Sequence, residues 1–255
     1  MRRIQMRIAG VTVACLAALF AWVLHLPDTA QGSARAPLPQ QSRPPAQTPT
    51  PKGPLPLSGT VIVIDPGHGG VDPGAVGIDQ VLEKDLALQL SQRLKRLLQS
   101  GGAQVWLTRT GDYDLADPKT KGYSRRKRQD LPRRVRFAKA HNTDLFVSIH
   151  LDSFGRQTAW QGGHVLYNPN RPEARRLALL IQDELNRQLD GKKRAIPRRD
   201  LLVLNAQTIP AVLVEAGFLS NPQEVRLLQT PAYQEQIAAC LYRGIVRFYL
   251  GETLP

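Results

Sequence analysis

Three short runs in this chain are apolar enough to be buried on both sides: Val61-Ile62-Val63-Ile64, Leu145 to Ile149, and Ala211-Val212-Leu213-Val214. By length and β-branched content they read as strands without a solvent face, and such strands belong to sheets covered by helices on both sides. The segments between them carry helical spacing. From Glu83 to Gln99 the residues Leu86, Leu90, Leu94, Leu97 and Leu98 make one apolar face, and Gly101-Gly102 ends the helix. Further helices are predicted over 125–140, 173–189 and 232–249, and further strands over 104–108, 163–167 and 201–204. Strand and helix alternate, so the expected class is α/β, a single domain over 58–255 with a mostly parallel sheet flanked by helices on both faces.

Each of the three buried runs ends on residues suited to chemistry. The first leads into Asp65-Pro66-Gly67-His68-Gly69-Gly70, the second directly into His150, the third directly into Glu215. Ligands of open α/β sheets bind beyond the carboxyl ends of the strands, so parallel neighbours would bring these side chains to one edge. Glu83 opens the helix reached from the first strand through a glycine-rich loop, a path that returns to the same edge. Two imidazoles and a carboxylate, with a fourth position open, make a catalytic zinc arrangement. Such a metal lowers the pKa of a bound water to about 7. A second carboxylate, not bound to the metal, can then serve as general base.

Each residue also has a plainer reading. His68 is compatible with a turn among glycines, Glu83 with a favourable helix N-terminus, and His150 with a satisfied core histidine. Glu215 is hardest to explain that way, because a carboxylate after Ala-Val-Leu-Val is costly to bury without compensation. Asp65 either orients a histidine or shapes its turn. His25, His141 and His164 read as structural.

Taken together, the segments Ile64–Gly70, Glu83, Val147–His150 and Val214-Glu215-Ala216-Gly217-Phe218-Leu219-Ser220-Asn221 resemble the zinc-dependent N-acetylmuramoyl-L-alanine amidases of the amidase_3 type. The resemblance runs from about residue 60 to 250. It implies a sheet of about six strands, Zn2+ held by His68, Glu83 and His150, and Glu215 as the catalytic glutamate. The segments Lys121–Lys127 and Leu55–Gly59 look most like the germination-specific, spore-cortex members. That likeness implies a role in sporulation, with a muramic acid stripped of peptide as product. It also implies a possible lipoprotein activator. One departure is Leu151-Asp152, where the family usually has a small residue or Leu and then Asn. Division-associated relatives carry an inhibitory helix between the second histidine and the catalytic glutamate. Two strands and a helix fill that interval here, and no such plug is expected.

The N-terminus sets the compartment. Arg2, Arg3 and Arg7 precede Ile8–Leu26, which holds no Asp, Glu, Lys or Arg. As a helix it would span roughly 28 Å, enough for a bilayer core. Residues 1–26 therefore read as a signal anchor or signal peptide. The anchor is favoured because the run exceeds an ordinary cleaved h-region. The basic residues ahead of it put the remainder outside. Residues 27–57 read as a Pro-rich disordered linker, nine of them proline, too poor in apolar residues to bury a core. The net charge of +13 attracts polyanions, but export points to anionic wall polymers and membrane and away from nucleic acid. Ten Lys or Arg against one acid between Lys119 and Lys139 make either a wall-docking face or a solvated helix. The expected partner is peptidoglycan, glycan strands with stem peptides. Cys15 and Cys240 are not expected to pair. Three rivals remain: an exported zinc peptidase cutting stem peptides, a non-haem iron oxygenase, which also uses two histidines and a carboxylate, and a wall-binding protein without catalysis.

Overall fold

A computed structural model describes residues 54–153, 155, 159–189 and 192–254. The anchor or signal segment 1–26, with His25 and Cys15, and the linker up to residue 53 lie outside the described residues. Among those described, no helix is long and apolar enough to cross a membrane.

Six strands form one sheet: β1 (Val61–Pro66), β2 (Gln104–Leu107), β3 (Leu145–Asp152), β4 (His164–Tyr167), β5 (Ile196–Pro197) and β6 (Ala211–Phe218). Their order is β2-β1-β3-β6-β4-β5. Every pairing is parallel except β4 with β6, which is antiparallel. The helices are α1 (Glu83–Ser100), α2 (Tyr123–Ala140), α3 (Pro172–Gln188), α4 (Leu202–Asn205), α5 (Pro222–Leu228) and α6 (Pro231–Tyr249). The predicted α/β class with a mostly parallel sheet therefore describes the folded chain.

Alternation along the strands sorts the core into two layers. Ile62, Ile64, Val147, Ile149, Val212 and Val214 point to one face and pack with leucines of α1, α3 and α6. Val63, Phe146, Ala211 and Leu213 point to the other and pack with α2 and α4. Asp65, Ser148, His150 and Glu215 continue this second set in register. The side chains predicted to carry chemistry thus share the α2–α4 face. Leu57 is fully buried and its N–H donates to Gly101 O at 2.9 Å, so the folded chain begins slightly ahead of Ser58.

One element differs in type from its prediction. Residues 201–204 read as a strand, but Leu202–Asn205 is a helical turn. Four apolar residues carry no periodicity that separates strand from helix, and here Val203 and Leu204 are buried while Leu202 is exposed. The helix α5 has a legible start: Asn221 accepts from the N–H groups of Gln223 and Glu224, and Pro222 comes next.

Candidate metal centre

β1 ends at Pro66 and hands the chain to a loop carrying His68 in left-handed conformation, φ 61°. Two buried guanidinium groups hold this loop by its carbonyls. Arg109 donates to Pro66 O at 3.0 Å and Gly67 O at 2.7 Å. Arg134, from α2, donates to Pro66 O at 2.7 Å and His68 O at 2.6 Å. Arg134 also bonds Asp65 at 2.7 Å and Asp130 at 2.8 Å. Asp65 therefore binds Arg134, Thr108 and Ser148, and shapes the loop rather than orienting a histidine. Burial alone would raise its pKa, but the Arg134 charge and these hydrogen bonds outweigh it and hold the carboxyl below its usual range.

Glu83 is the first residue of α1 and is buried. Its Oε2 accepts from Ala75 N at 2.7 Å and its Oε1 from Leu151 N at 3.1 Å. The same Oε1 stands 3.0 Å from His68 Nε2 and 2.9 Å from His150 Nδ1. The two imidazoles meet edge to face, 4.8 Å between centroids. Two glycines make this convergence possible. A Cβ on Gly67 would collide with the ring of His150, and one on Gly74 with the carboxylate of Glu83. Asp72, which sequence reasoning missed, places Oδ2 2.9 Å from His68 Nδ1, in ion-pair rather than hydrogen-bond alignment. Lys127 reaches the same oxygen at 3.2 Å.

The donor set fits a metal. The ligand atoms of His68, Glu83 and His150 all lie within 4.8 Å of one another. Two ligands at zinc bond lengths and the tetrahedral angle stand roughly 3.3 Å apart, close to the 3.0 and 2.9 Å that separate Glu83 Oε1 from the two imidazoles. Burial by itself disfavours charge on His68, but Asp72 and Glu83 push its pKa up to about 9. Burial also works against the ionised form of Glu83, yet the two histidines draw its pKa well below the carboxylate range. These opposed shifts, a histidine held protonated and a carboxylate held ionised, describe a place where positive charge is favoured.

Glu215 is in register with His150 on the neighbouring parallel strand. Its Oε2 is buried without a hydrogen-bond partner among the described residues. Burial first, then the carboxylates of Glu83 and Asp152, raise its pKa to about 8. His164, across the antiparallel pair, is also in register with Glu215. It lies 3.6 Å from Asp152 and stacks on Phe218, so this histidine shares the site's face. His141 instead stacks on Phe137 and tilts against Trp106, away from the site. Beside the cluster lies a cleft of about 240 Å³, lined by His68, Asp72, Lys127, His150 and residues Asp200–Val203 at α4. In the interval between His150 and Glu215, α3 packs against α6 on the opposite face, and α4 walls this cleft.

A family profile described as N-acetylmuramoyl-L-alanine amidase, Amidase_3, matches residues 62–247. The chain belongs to that family. It is thereby an amidase of peptidoglycan. It is 44% identical over 202 residues to the germination-specific N-acetylmuramoyl-L-alanine amidase of Bacillus subtilis (strain 168), covering 79% of this chain and 84% of that one. Among solved structures it resembles the CwlD amidase from Clostridioides difficile in complex with the GerS lipoprotein, at TM-score 0.73 and 36% identity, covering 76% of this chain and all of that one. It also resembles the amidase AmiC2 of Nostoc punctiforme, at TM-score 0.63 and 31% identity, covering 76% of this chain and 99% of that one.

Proposed function

We propose that this amidase is zinc-dependent, with His68, Glu83 and His150 holding one Zn2+ and Glu215 acting as the catalytic base. The bond cut joins the lactyl group of N-acetylmuramic acid to L-alanine. When bound, the ion supplies Lewis-acid polarisation of the scissile carbonyl and of a water. Glu215 takes a proton from that attacking water at its buried Oε2 and gives it to the departing amine nitrogen. Asp72 orients His68, while Arg109 and Arg134 fix the loop that carries it. The observation that supports this reading is the approach of both imidazoles to one oxygen of Glu83, with Glu215 in register beside His150.

The test combines metal analysis with mass spectrometry of digested muropeptides, for the wild type and His150→Ala. The expected result is stoichiometric zinc and glycans freed of whole stem peptides, both lost in the variant. Cuts inside the stems would establish the peptidase rival, and bound iron the oxygenase. Digestion that survives a chelator would remove the metal from the reaction.

The germination-specific relative, and the CwlD amidase solved with a lipoprotein, support a place in spore-cortex formation with a lipoprotein activator. Residues 1–26 would export the chain as anchor or signal peptide. The Pro-rich stretch after them would space the catalytic domain, which takes in Leu57, from the membrane.

A further inference from the structure

The motif Gly217-Phe218-Leu219-Ser220-Asn221 lies just after the catalytic glutamate, and the chemistry above does not use it. Its contacts lead to one place, the segment before β4. Asn221 Nδ2 donates to Trp160 O at 3.1 Å. Glu224, only 2% exposed, accepts from Gly162 N at 2.7 Å and from Phe218 N at 2.9 Å. Burying a carboxylate to hold two main-chain N–H groups is costly. Here it ties the Trp160 segment to the end of the strand that bears Glu215. Lys193 closes the other side: it donates to Gly162 O at 2.5 Å and lies 3.9 Å over the Phe218 ring and 5.9 Å over that of Trp160.

This anchoring leaves the indole of Trp160 47% exposed, 6.0 Å from Phe218. Phe218 in turn stacks on His164, at 5.6 Å and 27°. Past the register shift in β3, Phe218 is paired with Asp152 and so lies on the face of His150 and Glu215. We propose that Trp160 is a stacking platform for a pyranose ring of the glycan, on the β4 side of Glu215, with Asp152 and His164 facing the sugar's polar substituents. The proposal takes its substrate from the amidase reading.

The chemistry favours sugar over stem peptide. A pyranose presents an apolar C–H face that matches a flat indole, while its hydroxyl and acetamido groups need hydrogen-bond acceptors and donors at the rim, which a carboxylate and an imidazole supply. A stem peptide carries carboxylates, and Asp152 would repel them. Lys127, which lines the cleft on the α2 side beside His68, suits that end of the substrate instead. The glycan and the peptide would then leave the scissile bond in opposite directions across the sheet edge.

The experiment uses the full-length, zinc-loaded protein as wild type, Trp160→Ala and Trp160→Phe. Calorimetry measures binding of the peptide-free disaccharide of N-acetylglucosamine and N-acetylmuramic acid. Kinetics compare a disaccharide-bearing muropeptide with a lactyl-peptide that has no sugar. Trp160→Ala should weaken disaccharide binding about tenfold and reduce the preference for the sugar-bearing substrate by a similar factor, with zinc content retained. Trp160→Phe should recover part of both. Equal disaccharide affinity in wild type and Trp160→Ala, or an equal loss on the sugar-free substrate, would overturn the platform. A wild type that binds the disaccharide through Trp160 but releases no peptide would overturn the amidase reading and leave the platform standing.

Discussion

Glu215 ends an apolar run on a strand and has one buried oxygen with no hydrogen-bond partner among the described residues. Neither fact has a stabilising explanation, since an uncompensated buried carboxylate weakens a fold. Glu215→Gln should therefore keep the zinc and the stability while lowering kcat by about 10²–10⁴-fold, the range for losing a general base. Metal content and turnover on the same preparation check this, and near-normal turnover would remove the residue from the role. The neighbouring histidine gives a second outcome. Without metal, His68 keeps its proton up to about 9 and Glu215 keeps its own up to about 8. A metal ligand must be unprotonated, and a cation beside Glu215 favours its ionised form. Zinc uptake at pH 7 should thus release protons, and affinity should rise with pH until both groups have titrated. Calorimetry in buffers of different ionisation enthalpy measures the release; buffer-independent heats would contradict it. That His68, Glu83, His150 and Glu215 meet at one sheet edge is legible because each adjoins a buried strand or opens a helix. Asp72 was not, because its approach to His68 depends on a left-handed backbone that spacing does not reveal.

The helix α2 shows how charge in a sequence can mislead about its use. Its cations read as one basic face, yet Arg134 is buried on Asp65 and Asp130, Arg126 pairs with Asp114, and Arg133 donates to Leu115 O. Summed charge has no direction, so only the Asp130–Arg134 spacing of four hinted at an inward pair. The same limit applied to residues 201–204, where composition without periodicity suggested a strand. The three buried strands had no such ambiguity and were found in their predicted places. Arg134→Met should destabilise the protein by about 3–5 kcal/mol, because it leaves Asp65 buried and unpaired. The effect should depend on pH. The folded-state pKa of Asp65 is depressed in the wild type, so its contribution is present at neutral pH and lost as pH falls through that depressed value. In the variant Asp65 loses the guanidinium that depressed it and is protonated at a higher pH. The deficit should then be larger at pH 7 than at pH 4. Urea unfolding at both values tests this, and an equal deficit would point to lost packing instead of a lost charge pair.

At the scale of the whole molecule, the inward-facing arginines reduce the charge available for docking without removing it. Lys119, Lys121, Arg125, Arg128, Arg136 and Lys139 remain exposed, and Lys127 lines the cleft beside His68 and His150. Exposed charges act over about 8 Å at physiological ionic strength, which is short against the protein but long against the opening of a cleft. An extended anionic polymer meeting α2 would be held near the site before any specific contact forms, a gain in encounter more than in turnover. Raising salt should therefore increase KM for intact wall material while leaving kcat nearly unchanged. Arg125→Glu with Arg128→Glu should raise KM at low salt and flatten its salt dependence, with zinc content and unfolding midpoint unaltered. A salt-independent KM in the wild type would reduce this face to a solvated helix surface. The full charge of +13 would then serve only colloidal behaviour.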